Sequence, residues 1–121
     1  MIIAGFGFRA GATKESLKNA YDRLGGGADA FAVPKDKAGA LCIRQLAAEE
    51  DVRVIAIDPE VMESIETPTQ APRVIEKRGT GSVAEACALA AVGAEGRMMA
   101  HRHISEDRLA TCALAIKDKT T

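Results

Sequence analysis

The stretch whose reading decides the fold is IIAGFGFRAGAT, residues 2–13. Ile2, Ile3 and Ala4 read as a short buried strand. Gly5, Gly7 and Gly11 read as a glycine-rich turn after it, with Arg9 among them, and Thr13 stands where it would cap a following helix. Glycine permits backbone angles closed to other residues and lets a ligand approach the main chain. A helix start just beyond presents unpaired N–H groups and the positive end of the dipole. The combination predicts an anion site in which Arg9 grips a carboxylate or phosphate bidentately. The alternative is a tight strand-to-helix turn with no ligand. Ala10 stands where a dinucleotide fingerprint needs its third glycine, and no phosphate-loop motif is present.

Outward from this stretch, residues 13–24 predict a helix, with Leu17, Ala20, Tyr21 and Leu24 at helical spacing. Gly25, Gly26 and Gly27 stop it. Residues 28–33 are short and unbroken in apolar character, as a buried parallel strand is, and Pro34 closes them. A charged loop follows, Pro34-Lys35-Asp36-Lys37, then a helix over 39–50 whose last acids, Glu49 and Glu50, simply solvate its exit. Residues 52–57 predict a strand. Asp58 and Pro59 then read as the cap and first turn of a short helix to about residue 65. The segment 67–72 carries two prolines and reads as a loop, and Val74 and Ile75 as a brief extended piece. Ser82 and Glu85 form a capping-box pattern ahead of a helix to residue 92, so apolar that it must lie against the sheet. Residues 96–104 and 109–116, separated by Ser105-Glu106-Asp107-Arg108, predict an antiparallel hairpin. The sum is an α/β protein of three layers, α/β/α, with a mixed, mostly parallel sheet that ends in an antiparallel hairpin.

At 121 residues the chain is one domain, 1–121. A hydrophobic fraction of 47% supplies a core, built of Ala, Val, Ile and Leu because aromatics are only 3%. A net charge of -1 and few stacking side chains argue against nucleic-acid binding. Cys42, Cys87 and Cys112 are scattered in apolar segments without a C-x-x-C pair, which fits small core residues in a reducing cytosol. No signal peptide or membrane span is legible, so the expected location is the cytoplasm.

In open α/β sheets ligands bind at the C-terminal edge of the parallel strands. The loops 5–13, 34–37 and 77–82 are expected there, carrying Arg9, Lys35, Lys37, Lys77 and Arg78. Cations converging with helix starts point to an anionic small molecule with several carboxylates or phosphates. The candidate binding set is Gly5, Gly7, Arg9, Gly11, Thr13, Lys35, Thr80, Gly81 and Ser82. His101 and His103, two apart on a strand, are expected to share a side, but further ligands at metal spacing are absent, so no metal and no cofactor is expected. Glu85, His101 and His103 are the candidates for acid–base chemistry.

The residues 5–12, GFGFRAGA, the segment 79–89, GTGSVAEACAL, and residues 111–115 of the last strand resemble the cobalamin biosynthesis family of CobE and the C-terminal domain of CbiG. The likeness runs through essentially the whole chain in the same order. It implies a role in building the corrin ring. CbiG proteins of the anaerobic route open a lactone on a cobalt-containing precorrin, release a two-carbon fragment as acetaldehyde, and carry additional N-terminal domains. This chain is similar to the stand-alone CobE form of the aerobic route. CbiG-like sequences tend to have lysines before the last strand, where this chain has His101, Arg102 and His103. The implied ligand is a modified tetrapyrrole, a precorrin or corrinoic acid, whose rim of acetates and propionates suits the polyanion site read from the residues. Three roles follow: a carrier or enzyme that binds such a ring, a hydrolase of a precorrin lactone, or a non-catalytic subunit that organises other corrin-pathway enzymes.

Overall fold

Strand β1 runs from Ile2 to Phe8, longer than the three residues expected, and pairs along its whole length with the last strand. Gly5 and Gly7 are therefore strand residues, not the turn. The chain is described here by a computed structural model covering residues 1–72, 75 and 81–118. After β1 come α1 (Lys14–Arg23), β2 (Ala30–Pro34), a single 3-10 turn (Lys35–Lys37), α2 (Leu41–Glu50), β3 (Arg53–Ile57), α3 (Pro59–Ser64), α4 (Val83–Val92), β4 (Arg97–Ile104) and β5 (Ala110–Ile116). The five strands form one sheet in the order β3-β2-β1-β5-β4. β1, β2 and β3 are parallel, while β5 is antiparallel to both β1 and β4. The expected three-layer arrangement and closing hairpin are present. Of the expected extended piece at Val74 and Ile75, Val74 lies outside the described residues, and Ile75 is helical instead, its N–H donating to the Ala71 carbonyl four residues back at 3.0 Å.

Alternation along β1 and β2 sorts the core into two layers. Ala4, Phe6, Phe31 and Val33 pack with Leu17 and Tyr21 of α1 and Ile43 and Leu46 of α2. Ile3, Ala30 and Ala32 pack with Ala86, Cys87 and Ala88 of α4 and Met62 of α3. The first layer holds the aromatic rings, with Phe6 and Phe31 at 5.0 Å and Tyr21 and Phe31 at 5.2 Å between centroids. Beside Ile3 and Ile57 the second takes small residues from the sheet, Gly5, Ala30, Ala32 and Ala115, and α4 lies directly on them. A Cβ on Gly5 would sit 2.0 Å from the Ala84 carbonyl oxygen and 2.7 Å from the Ala88 nitrogen. Glycine inside a strand often marks such a close backbone approach, and here it explains why a strand reads locally as a turn.

The helix ends answer the sequence signals unevenly. Thr13 and Ser16 cap α1 reciprocally, the Thr13 hydroxyl accepting from the Ser16 N–H and the Ser16 hydroxyl from the Thr13 N–H. Ser82 caps α4 by accepting from the Glu85 N–H. Asp58 makes no side-chain cap to α3; its carboxylate instead meets Lys35 Nζ at 3.7 Å. Glu49 does more than solvate the end of α2, since it pairs with Lys14 at 2.9 Å and Lys18 at 3.2 Å on α1. These lysines hold its carboxyl below the usual range, by hydrogen bonding first and charge second.

Candidate functional site

The parallel strands end together at Phe8, Pro34 and Ile57, and the loops that leave them lie side by side. Lys37 Nζ stands 5.5 Å from the centre of the Phe8 ring, which brings the second loop to the first. The Lys35–Asp58 pair brings the second to the third. Arg9 is exposed, and its N–H donates to the Leu109 carbonyl at 2.9 Å, tying the first loop to the hairpin. Gly11 takes φ +93° in the open turn before α1. That turn is the one place in the opening stretch where the glycine backbone is both exposed and left-handed.

The candidate residues thus share one edge of the sheet but divide between its faces. Gly11 and Thr13 lead into α1 on the aromatic side. Gly7, Gly81 and Ser82 gather at the first turn of α4 on the other, where a Cβ on Gly7 would lie 3.2 Å from the Val83 Cβ. Gly5 lies deeper, under α4, and offers no room to a ligand. Gly81 is also filled: its Cβ would stand 2.3 Å from the Thr69 carbonyl oxygen and 2.8 Å from the Gln70 Cα. The space beside Gly81, a candidate for ligand binding, is occupied by the chain's own loop 67–71. Thr80, Lys77 and Arg78 lie outside the described residues. A depression of about 420 Å³ between α2 and β3, lined by Ala38, Arg44, Ala47, Ala48, Val52 and Val54, includes none of the candidates.

Glu85 is 0% exposed. Its carboxylate does not turn back to the cap as a capping box would have it. Oε1 accepts from the Thr69 N–H at 2.8 Å; Oε2 accepts from the Thr69 hydroxyl at 2.9 Å and the Arg102 N–H at 2.8 Å. The Arg102 N–H is available because β4 is bulged: Ala100 pairs with Leu114 but His103 with Cys112, so three steps on β4 oppose two on β5. A bulge leaves such a group unpaired in the ladder. A buried carboxylate that accepts from two backbone donors and a hydroxyl is satisfied by structure, which leaves it poorly placed as a free base.

The same bulge corrects the histidine expectation. His103 pairs with Cys112, which belongs to the aromatic layer, whereas His101 Nδ1 lies 4.0 Å from Glu85 Oε2 on the α4 side. The two rings therefore sit on opposite faces, because the period-2 rule holds only in an unbroken strand. Among the described residues no group of three or more His, Cys, Asp or Glu is placed to hold a metal ion. His101 is the exposed member of the acid–base candidates, with 70% of its side chain open to water.

Sequence reasoning read 67–72 as a loop and residues 105–108 as a turn, but gave the loop no place at Glu85 and missed the Arg102 N–H and the contacts of the hairpin tip. At the tip Asp107 accepts from the Ser105 hydroxyl at 2.6 Å, the Leu109 N–H at 3.0 Å and the Ser16 hydroxyl at 2.5 Å. A polar S-x-D turn was the only signal for the last of these, and it says nothing about a helix 91 residues away. No helix among the described residues is long and apolar enough to cross a membrane.

The chain matches the family described as Cobalamin synthesis G C-terminus over residues 2–115. No curated protein sequence matches it significantly. Among solved structures it is similar to CobE, a protein from the cobalamin (vitamin B12) biosynthetic pathway, at 26% identity and a TM-score of 0.83, covering 100% of this chain and 93% of that one. It is similar to the cobalamin biosynthesis protein chiG from Agrobacterium tumefaciens at 27% identity and 0.73, covering 98% and 100%. A structure described as a cobalamin biosynthesis protein G homologue, from Sulfolobus solfataricus, shares the fold at 21% identity and 0.69, with 94% of this chain spanning 36% of that one.

Proposed function

The chain belongs to the cobalamin synthesis G C-terminus family, a family of cobalamin biosynthesis, and from that premise we propose that it binds a polycarboxylate modified tetrapyrrole, a precorrin or corrinoic acid, as a carrier or an enzyme. The observation that supports this reading is the meeting of the three strand-end loops. Lys37 lies against Phe8, Lys35 against Asp58, and exposed Arg9 follows β1 directly. Carboxylates on the rim of a flat ring would be met there by cations, with Arg9 as the bidentate donor. Gly11, at the turn into α1, has open space about it. Gly5 is filled by the backbone of α4, and Gly81 by the loop 67–71.

The test is a titration of the protein with hydrogenobyrinic acid and late precorrin-type intermediates, followed by the absorbance of the ring. Arg9→Ala removes a charged hydrogen bond, about 1.5–3 kcal/mol. It is expected to weaken binding by about ten- to a hundredfold. Equal affinity of wild type and variant would remove Arg9 from the site. No spectral change with any intermediate would favour the non-catalytic subunit role over ligand binding.

A lactone hydrolase is the second reading, favoured by His101, an exposed imidazole beside a buried carboxylate. In that reaction His101 takes a proton from water as its oxygen attacks the lactone carbonyl. The ring C–O bond then breaks, and the proton passes to the leaving alkoxide. Mass analysis of the ligand after incubation separates the two readings, since hydrolysis adds one water and a carrier adds nothing.

A further inference from the structure

We infer that residues 67–71 form a strap over the first turn of α4, latched by Glu85, which opens as a unit and gates that end of the sheet. The strap is folded on itself: the Thr67 hydroxyl donates to the Thr69 carbonyl at 2.8 Å and Gln70 Nε2 to the Thr67 carbonyl at 2.7 Å. It lies on Gly81, where the Thr69 carbonyl and Gln70 Cα fill the space a side chain would take. The Ala71 N–H donates to the Gly81 carbonyl at 2.9 Å. Ser82, the cap that follows Gly81, is 0% exposed.

What holds the strap is polar and concentrated. Of its residues Thr67 is buried, whereas Pro68 and Gln70 are exposed and Thr69 and Ala71 only half-buried. Little apolar surface keeps it down, and segments of that kind open locally well below the global unfolding free energy. Two of its bonds end on one carboxylate, which also takes the Arg102 N–H from the β4 bulge. Three elements thus depend on both oxygens of Glu85 being acceptors. An amide in its place keeps the shape but turns a donor toward either the Thr69 or the Arg102 N–H, whichever way it is flipped. Release of the latch uncovers Gly81, Ser82 and the early N–H groups of α4 beside Gly7 and His101.

Gating of the ligand rests on the proposed tetrapyrrole binding; the latch does not. Hydrogen exchange of the wild type, Glu85→Gln and Thr69→Val is read by amide, and association of hydrogenobyrinic acid by stopped flow. Glu85→Gln is expected to speed exchange at Thr69, Ala71 and Arg102 by about tenfold or more while β1, β2 and β5 keep their protection, the size expected when one such bond is lost from a local opening. Thr69→Val, which removes only the hydroxyl, gives a smaller rise at the same amides and serves if Glu85→Gln fails to fold. Unchanged exchange at these amides, or a rise shared by the whole sheet, overturns the latch. Faster ligand association in step with faster exchange supports the gate, and an association rate that ignores the strap overturns it. If no variant binds the ring while the strap amides respond, the tetrapyrrole reading fails and the latch stands.

Discussion

Gly5 shows how much one residue settles. Its missing side chain lets the backbone of α4 rest on β1, with the Ala84 carbonyl 2.0 Å from where a Cβ would be. The atoms in the way are main-chain atoms of a helix packed along its length, so they cannot swing aside. Overpacking of this kind costs about 1–3 kcal/mol and occasionally more. Gly5→Ala belongs at or above about 3 kcal/mol, which for a domain of this size lowers the melting temperature by roughly 10 °C. A melt that moves by less than about 2 °C would mean the helix shifts freely on the sheet. Thr13 and Asp58 make the complementary point. Both were legible as caps, yet only Thr13 caps, because Asp58 is drawn to Lys35 across the strand ends.

Among the elements, α1 is tied to the hairpin tip along a stripe of its surface. The Ser16 hydroxyl donates to Asp107, the Asn19 side-chain oxygen accepts from the Glu106 N–H at 2.8 Å, and Arg23 pairs with Glu106. Hydrogen bonds from Ser105 first, then Ser16 and the Leu109 N–H, hold the Asp107 carboxyl below its ordinary 3.8. A carboxyl depressed by folding binds fewer protons folded than unfolded. Its contribution is therefore complete above pH 3.8 and is lost as pH falls through the lower folded value. Asp107→Asn should melt lower than wild type at neutral pH and show a flatter loss of stability below pH 3.8. Two pH–stability curves that stay parallel through that range would show that the tip does not carry this linkage. The hairpin itself was legible from its alternation and turn residues, whereas the β4 bulges were not, because a bulge is defined by the partner strand.

Across the whole molecule, the two core layers seal all three thiols. Cys42, Cys87 and Cys112 are all buried. Burial pushes the Cys112 thiol well above its ordinary value and raises that of Cys42. Since the thiolate is the reactive form, a thiol reagent should find all three silent in the native protein and label Cys112, in the interior strand β5 between β1 and β4, only at the rate of global unfolding. Labelling of Cys112 faster than unfolding would show that β5 separates from β1 locally. By itself the sequence determined the order of strands and helices, the caps at Thr13 and Ser82, the hairpin and the layered fold, because each rests on periodicity and capping chemistry between near neighbours. Only the tertiary structure decided that Gly5 and Gly81 are filled rather than open. It alone turned Glu85 from the cap of its own helix to Thr69 and Arg102, and placed His101 and His103 on opposite faces. Those outcomes depend on which backbones meet across the sheet and in what register, and no local pattern of residues records that.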